Sequence, residues 1–322
     1  MSSKIFPKEK SPPPGIYCPV ISLYKPTNRQ EIDLDASFKF FTYLINSAID
    51  GLVLAGTTAE AALLSADERT DLIQVARKAA VESGRPKFPI VAGISAQSTN
   101  ETIRLAQSAL DAGADYGLLL PPNYWPKAVS TDIIAEFYRE VADATPLPIV
   151  IYSFPAVCNG IDMSSDLLAD LAEHPNIVGV KLTCGNAGKV TRLTNRYSHD
   201  QFAVYAGSSD WLTPCLSGGG SGCVTGIANV FPKTVAHLYA LWKTGEESEA
   251  RRLQGVVAEA EKACKEGIAS TKYATAYFLG SKAGVEDERA FWPRKPYRAV
   301  GEEKRRWVVE AMGHLEVVEG EL

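Results

Sequence analysis

Short hydrophobic runs alternate with helical patterns through the first two thirds of the chain. The runs are rich in β-branched residues and are bounded by Gly or Pro. They cover residues 16–24, 51–56, 89–94, 116–122, 147–155, 177–183, 202–207 and 222–229. Nearly every position in them is apolar, whereas a strand with one solvated face would alternate apolar and polar residues. The pattern therefore predicts parallel strands that are buried on both faces.

The segments between these runs carry the start signals of helices. Ser65 and Glu68 form a predicted capping box ahead of an amphipathic segment, and Ser98 and Glu101 repeat the spacing after the next strand. Further helices are predicted over residues 36–49, 130–144, 164–173 and 186–197. Strand–helix alternation over about 220 residues matches the size of a closed barrel, so the predicted fold class is α/β, a (β/α)₈ TIM barrel.

A doubly wound open sheet is the competing architecture. Such a sheet normally carries a glycine-rich nucleotide loop after its first strand, and none follows residues 16–24. The glycine-rich segment Gly218–Gly222 precedes a predicted strand and lacks the spacing of a phosphate loop. We interpret it as a tight helix-to-strand connection.

Strand signals stop after Pro232, and the remainder is predicted to be helical. The predicted helices cover residues 233–243, 246–266, 268–283 and 301–312. Residues 1–14 are charged and proline-rich, which predicts a disordered N-terminal arm. The expected organisation is therefore the arm at 1–14, a catalytic barrel at 15–232 and a C-terminal helical region at 233–322.

Composition narrows the functional classes. Hydrophobic residues make up 46% of the chain and charged residues 22%, as in ordinary globular proteins. A net charge of −5 predicts no nucleic-acid or anionic membrane partner, and no apolar run is long enough to span a bilayer. The first residues lack the apolar core of a signal peptide and the arginine-rich pattern of a transit peptide. We therefore expect a cytoplasmic protein with a small-molecule substrate.

In a (β/α)₈ barrel the active site forms at the C-terminal ends of the strands. The side chains and backbone predicted there belong to Gly56, Thr57, Thr58, Tyr124, Tyr152, Lys181, Gly207, Ser208 and Ile227. This set supplies an amine, two phenols and hydroxyls, but no His and no acidic cluster. The four His are also far apart in sequence, so no metal site is predicted.

Lys181 interrupts the apolar run of the predicted sixth strand. A charged ammonium is costly in such surroundings, so burial would favour the free amine, the form that attacks a ketone to give an imine. The alternative from position alone is a lysine at a strand end that points into solvent or pairs with a carboxylate. The residues by themselves leave both interpretations open.

Two other features support chemistry only in combination. Tyr152 ends an apolar strand, and its phenol beside an amine would relay protons. Taken alone, a core tyrosine with a satisfied hydroxyl is the favoured explanation. The segment Gly56–Glu60 follows a strand at a turn into a helix, where N–H groups and hydroxyls would hold a carboxylate. Its simpler interpretation is a capping turn.

Five segments resemble the dihydrodipicolinate synthase / N-acetylneuraminate lyase family. They are GTTAE (56–60), PPNYWP (121–126), IYSFPAVCNG (151–160), GVKLTCGN (179–186) and GSGCVTGIANVFP (220–232), in the family's order and spacing. The resemblance implies a class I aldolase or synthase acting on pyruvate or a related 2-oxo acid. It also implies no metal or other cofactor, and assembly as a homotetramer (a dimer of dimers) or a homodimer.

The resemblance also implies roles for individual residues. Lys181 matches the imine-forming lysine, and Tyr152 the tyrosine that shuttles protons. Thr57 matches a threonine that links this tyrosine to a second one, Tyr124, which in the synthase branch reaches into the neighbouring subunit's site. Thr58, with the backbone amides that follow Gly56, matches the pyruvate carboxylate cradle, and Ile227, Gly207 and Ser208 are expected to line the pocket.

The departures from the family pattern concern the substrate. The lysine-pathway synthase carries an arginine shortly after the proline of its Tyr-x-x-Pro motif, whereas this chain has Ala156–Asn159 there, without a bidentate carboxylate clamp. Ala59 replaces a glycine of the family, and Asn123 replaces the first of two tyrosines. The sequence looks closer to the 4-hydroxy-2-oxoglutarate and 2-keto-3-deoxy-sugar-acid aldolase branches.

The expected reaction is therefore cleavage of a 4-hydroxy-2-oxo acid to pyruvate, or a close homologue, and an aldehyde. The missing arginine favours a 2-keto-3-deoxy sugar acid over 4-hydroxy-2-oxoglutarate, because the latter retains a distal carboxylate. Two alternatives stay open: a synthase-type condensation of pyruvate with an aldehyde, and a non-catalytic barrel that binds a 2-oxo acid.

Overall fold

The computed structural model describes residues 11–322, and within them eight parallel strands close into a barrel in sequence order. The strands are β1 (Gly15–Pro19), β2 (Gly51–Leu54), β3 (Ile90–Gly93), β4 (Tyr116–Leu119), β5 (Ile149–Ser153), β6 (Ile177–Leu182), β7 (Ala203–Ala206) and β8 (Gly222–Val224). Each strand coincides with one of the predicted hydrophobic runs, except that β1 begins one residue earlier, at Gly15, and β1 pairs with β8 to complete the ring. The predicted TIM barrel is confirmed.

A helix follows each strand and packs outside the barrel. These helices are α1 (Leu34–Ile45), α2 (Ala66–Glu82), α3 (Thr99–Asp111), α4 (Thr131–Ala144), α5 (Ser165–Ala172), α6 (Ala187–Thr194), α7 (Leu212–Ser217) and α8 (Pro232–Thr244). Helix α8 completes the eighth βα unit, although residues 233–243 were assigned to the C-terminal region. The Gly218–Gly222 segment connects α7 to β8, as its position before a strand indicated.

The helix start signals are realised to different extents. Ser65 caps α2 in a full capping box, because its side chain accepts from the Glu68 N–H and the Glu68 carboxylate accepts from the Ser65 N–H. Ser98 caps α3 through the Glu101 N–H, but the Glu101 carboxylate pairs with Arg104 instead of closing the box. The cap spacing thus predicted the start of both helices correctly. Only the second capping box is incomplete, because Arg104 binds the Glu101 carboxylate.

The barrel contains two layers of buried side chains. Its interior is filled from all of the described strands by Tyr17, Val53, Val91, Leu118, Val150, Tyr152, Val178, Ala203, Tyr205 and Val224. A larger cluster lies between the outer face of the strands and the helices, and it extends into the C-terminal helices. Burial on both faces explains why the strands are nearly continuous apolar runs in the sequence.

Residues 11–14 lie against the N-terminal end of the barrel. The Ser11 hydroxyl donates to the Val178 carbonyl at 2.9 Å, and the Tyr205 phenol donates to the carbonyls of Pro12 (2.6 Å) and Pro13 (2.8 Å). A disordered arm is predicted for residues 1–14. Residues 1–10 of this arm lie outside the described residues. Within residues 11–14, Ser11, Pro12 and Pro13 are hydrogen-bonded to residues of the barrel strands.

The C-terminal helices pack against the barrel next to its active-site end. They are α9 (Glu247–Lys265), α10 (Ile268–Thr275), α11 (Glu302–Met312) and α12 (His314–Glu321). A π-helical turn at Ala276–Gly280 and a short 3₁₀ turn at Ser281–Ala283 continue α10, where the sequence predicted one regular helix over 268–283. Helix α12 was not predicted. Within residues 11–322, no helix has the length and apolar character needed to cross a membrane.

Candidate active site

The pairing of β5 with β6 sets the direction in which Lys181 points. Ile149 pairs with Ile177 and Val150 with Gly179, so Val178 is an extra residue in β6 and the register shifts there. Strict alternation from Val178, which faces the barrel interior, would turn Lys181 outward. The bulge changes the phase and places Lys181 opposite Tyr152 on the interior side.

The bulge requires a glycine at position 179, because the bulged backbone leaves no room there for a side chain. A Cβ atom there would lie 2.6 Å from the Ala203 carbonyl oxygen of the neighbouring strand β7. The glycine that precedes Lys181 by two positions is therefore a geometric requirement of the site.

Lys181 and Tyr152 form a buried amine–phenol pair. Both residues are 4% exposed, and the Lys181 Nζ donates to the Tyr152 hydroxyl at 3.2 Å. The same Nζ lies 4.2 Å from the centroid of the Tyr152 ring. Lys181 therefore neither points into solvent nor pairs with a carboxylate. An amine that is shielded from water beside a phenol can act as a nucleophile with an adjacent proton donor and acceptor.

The turn after β2 brings a hydroxyl to this pair. The Thr57 Oγ1 lies 3.4 Å from the Tyr152 hydroxyl, and Thr58 is half-buried next to it. The Gly56 carbonyl accepts from the Ala59 N–H at 3.1 Å, which closes the turn. Among the described residues, the backbone N–H groups of Thr57 and Thr58 have no hydrogen-bond acceptor. Unpaired N–H groups beside two hydroxyls are suited to a carboxylate.

The ends of β7 and β8 form the opposite side. The Gly207 N–H donates to the Leu182 carbonyl at 3.1 Å, and Ile227 is fully buried in the turn that follows β8. The Ser208 hydroxyl is already engaged, since it donates to Asp210 at 2.7 Å and accepts from the Trp211 indole at 3.2 Å. Gly207 and Ile227 thus border the barrel end, whereas Ser208 mainly orders its own loop.

Thr183 was not singled out in the sequence, although the strand pattern could have identified it. It follows Lys181 by two positions, so it shares the interior side of β6. Its buried hydroxyl has no hydrogen-bond partner within the described residues. A Cβ on Gly207 would lie 2.1 Å from that hydroxyl, so the glycine makes room for it.

Tyr124 is not brought to Lys181 within one chain. Its side chain is 69% exposed and stacks edge-on against Trp125, which is equally exposed, with ring centroids 4.9 Å apart. Its N–H donates to the Gln97 side chain at 3.0 Å, which fixes the loop but leaves the phenol outside the site. Of the four residues predicted to be catalytic, the chain therefore assembles Lys181, Tyr152 and Thr57.

The loop after β5 contains uncharged groups. Val157 is 37% exposed, whereas Cys158 is fully buried and accepts from the Asn123 amide at 3.4 Å. The Asn159 amide donates to the Asn123 carbonyl at 2.6 Å, and its backbone is left-handed at φ 50°. Burial raises the pKa of the Cys158 thiol. Lys189 reaches this region, but its ammonium is paired with Asp162.

A buried carboxylate from the C-terminal helices joins the ends of β7 and β8. Glu261 of α9 is 2% exposed and accepts from the Ser209 N–H at 3.1 Å, from the Ser209 hydroxyl, and from the Thr225 hydroxyl at 3.0 Å. Burial raises the pKa of Glu261, with a further contribution from the nearby Asp210. Sequence reasoning missed this residue because nothing in a helical segment indicates which glutamate will be buried.

No group of three or more His, Cys, Asp or Glu side chains within residues 11–322 is arranged to hold a metal ion.

The chain is similar to several known proteins over nearly its whole length. It is 44% identical over 313 residues to "Putative 4-hydroxy-2-oxoglutarate aldolase, mitochondrial" of Coccidioides immitis, covering 97% of this chain and 98% of that protein. It is 32% identical over 333 residues to the L-threo-3-deoxy-hexylosonate aldolase of Aspergillus niger, covering 96% and 97%. The predicted resemblance to the aldolase branches is thereby confirmed.

The fold comparison agrees with the sequence comparison. The crystal structure of a dihydrodipicolinate synthase family protein from Coccidioides immitis superposes with a TM-score of 0.91 at 42% identity, covering 98% of this chain and 99% of that one. The model of the dihydrodipicolinate synthetase family matches residues 14–315. The chain therefore belongs to the dihydrodipicolinate synthetase family.

Proposed function

We propose that this protein is a class I aldolase that cleaves a 4-hydroxy-2-oxo acid to pyruvate, or a close homologue, and an aldehyde. The observation that carries the proposal is the buried amine of Lys181, 3.2 Å from the Tyr152 hydroxyl at the C-terminal end of the barrel. The names of the relatives from Coccidioides immitis and Aspergillus niger, both aldolases, support the same reaction class.

The reaction begins at the C2 ketone of the substrate. The amine of Lys181 adds to C2, and Tyr152 gives its phenolic proton to the carbinolamine hydroxyl, which leaves as water to give a protonated imine. The Tyr152 phenolate then takes the proton of the C4 hydroxyl while the C3–C4 bond breaks. Its electron pair moves into the imine to give an enamine, and the aldehyde leaves. Protonation of the enamine at C3 and hydrolysis then release pyruvate and restore Lys181.

The turn at Gly56–Thr58 is the proposed carboxylate site. The unpaired N–H groups of Thr57 and Thr58 supply donors, and the Thr57 hydroxyl beside Tyr152 orders the phenol. The acid end of the substrate would then lie next to β2 with its ketone at Lys181. Gly207, Ser208 and Ile227 would border the remaining length of the substrate.

The loop after β5 supports an uncharged, hydroxylated aldehyde half. Val157 and Cys158 stand where an arginine clamp would be, and Lys189 is neutralised by Asp162. Asn159 offers a polar group that suits hydroxyls. This environment favours a 2-keto-3-deoxy sugar acid over 4-hydroxy-2-oxoglutarate, although the relative from Coccidioides immitis carries the latter substrate in its name.

The proposal includes no metal and no other cofactor, because the imine itself withdraws electrons from the breaking bond. It also includes assembly as a homotetramer or homodimer, in which the exposed Tyr124 would meet a neighbouring subunit. The proposed location is cytoplasmic. The name of the relative from Coccidioides immitis includes a mitochondrial location, which is the competing possibility. Imaging of the tagged full chain distinguishes the two locations.

Specificity constants on a single preparation test the proposed function. The three reactions are cleavage of a 2-keto-3-deoxy sugar acid, cleavage of 4-hydroxy-2-oxoglutarate, and condensation of pyruvate with aspartate semialdehyde. We expect the largest kcat/KM for the sugar acid and little condensation. A dominant condensation rate would assign the protein to the synthases, and absence of all three with intact pyruvate binding would indicate a non-catalytic barrel.

A further inference from the structure

Glu60, the last residue of the turn after β2, is held in an unusual conformation. Its backbone is left-handed at φ 58° and ψ 38°, a region that non-glycine residues seldom occupy. Its side chain is 3% exposed, and its N–H donates to the Thr57 carbonyl at 3.0 Å. A strained residue of this kind persists only where surrounding contacts fix it.

The contacts that fix Glu60 come from the C-terminal region. One carboxylate oxygen accepts from the Lys272 ammonium at 2.7 Å, and the other accepts from the Arg294 N–H at 2.8 Å. Lys272 lies on α10 and is fully buried. Burial lowers the pKa of Lys272 to about 8, so its ammonium stays charged at neutral pH. An ion pair with both partners removed from water is retained only with close geometry.

The same segment is anchored at a second point. The Arg294 guanidinium makes a two-pronged contact with Glu68, at 2.6 and 2.8 Å. The Tyr24 ring contacts both cations, with the Lys272 Nζ 4.4 Å and the Arg294 guanidinium carbon 4.6 Å from its centroid. The turn after β2 and the start of α2 are therefore attached to residues more than 200 positions later in the sequence.

We infer that Glu60 and Lys272 are positioning residues for the substrate carboxylate. They hold the turn so that the N–H groups of Thr57 and Thr58 point into the site and the Thr57 hydroxyl reaches Tyr152. This inference rests on the proposed carboxylate site in that turn. It also assigns the C-terminal helices a part in substrate binding, because Lys272 belongs to them.

The test compares three variants with wild type. Glu60→Gln removes the charge from the turn and leaves the Lys272 cation buried alone. The double variant Glu60→Gln/Lys272→Met removes both charges, so it is expected to regain stability. Glu319→Gln is the matched control: Glu319 is a buried carboxylate that accepts from the N-terminus of α8, at Lys233 and Thr234, and does not contact the turn.

The measurements are Tm, KM for the 2-oxo acid, kcat, and hydrogen exchange of peptides that cover residues 56–60. We expect KM to rise by about tenfold or more in Glu60→Gln, with faster exchange in the turn, as a misplaced binding group costs on this order. In the double variant Tm should recover while KM and exchange stay raised. Glu319→Gln should lower Tm with KM unchanged.

A merely structural role gives a different pattern. KM and exchange of the turn would then return to wild-type values together with Tm in the double variant, and this would overturn the inference. If Glu60→Gln does not fold, the double variant alone decides between the two patterns. If wild type forms no imine with pyruvate, the proposed function fails, whereas hydrogen exchange of the turn still tests the positioning role.

Discussion

The hydroxyl of Tyr152 contacts both Lys181 and Thr57, at 3.2 and 3.4 Å. Residue type and position in the sequence identified all three side chains, because each lies near the C-terminal end of an apolar strand or in the turn that follows it. The sequence could not separate a catalytic tyrosine from a core tyrosine, since both would be buried. The distance to the Lys181 amine is the observation that favours proton transfer.

Tyr152→Phe tests this role at the residue scale. The ring and its packing are retained, so Tm should change little, whereas kcat should fall by about 10²–10⁴, the usual contribution of a positioned acid–base group. Tyr197→Phe serves as a control, because its phenol donates to the Ala169 carbonyl of α5, outside the barrel. Turnover near the wild-type value in Tyr152→Phe would return Tyr152 to a packing role.

At the scale of the element, β6 shows where the sequence pattern stops being informative. The run over residues 177–183 predicted a strand, and the strand is present. The phase of its side chains depends on the bulge at Val178, and Gly179, the next residue, lies too close to the Ala203 carbonyl to carry a side chain. That contact lies between strands, so no local pattern indicates it, and strict alternation would have given the wrong face for Lys181.

Gly179→Ala is the matching prediction for this element. The added Cβ would meet the Ala203 carbonyl at 2.6 Å, so β6 must shift and turn the Lys181 amine away from Tyr152. We expect kcat/KM to fall by at least about tenfold, because small displacements of a reacting group are costly. Gly255→Ala is the control, since α9 has open space at that glycine. Equal activity of both variants would contradict the role of the bulge.

At the scale of the whole molecule, the C-terminal helices are part of the active-site end. The sequence predicted most of these helices, but it did not predict their contacts. Glu60 and Lys272 are 212 positions apart, and Glu261 reaches Thr225 across 36 positions. Such pairs follow from the way the chain packs, so only the folded structure identifies them. Tyr124 is a different case, because its predicted role requires a second subunit.

The buried Glu261 predicts that the thermal stability of the whole molecule depends on pH. Because burial raises its pKa, the folded protein holds the Glu261 proton to a higher pH than the unfolded chain does. The resulting stabilisation is complete at low pH and is lost as the pH rises through the folded-state pKa. Glu261→Gln stays neutral, so wild type should lose Tm relative to this variant as the pH rises from the ordinary glutamate value through the folded-state pKa of Glu261.

Calorimetry of both proteins across that range checks the prediction for Glu261. Glu247→Gln, at an exposed position on the same helix, is the control and should show no such trend. If the difference in Tm between wild type and Glu261→Gln did not change with pH, Glu261 would not release a proton on unfolding, and the prediction would be wrong.

The central claim is that Lys181 forms an imine with the 2-oxo acid, and borohydride reduction with pyruvate tests it most directly. Peptide mass spectrometry of the reduced full-length protein should locate a stable adduct on the peptide that contains Lys181, together with loss of activity. Lys181→Ala should give no adduct and no turnover, because no other group supplies the imine. An adduct on a different lysine, or none in active wild-type protein, would contradict the account.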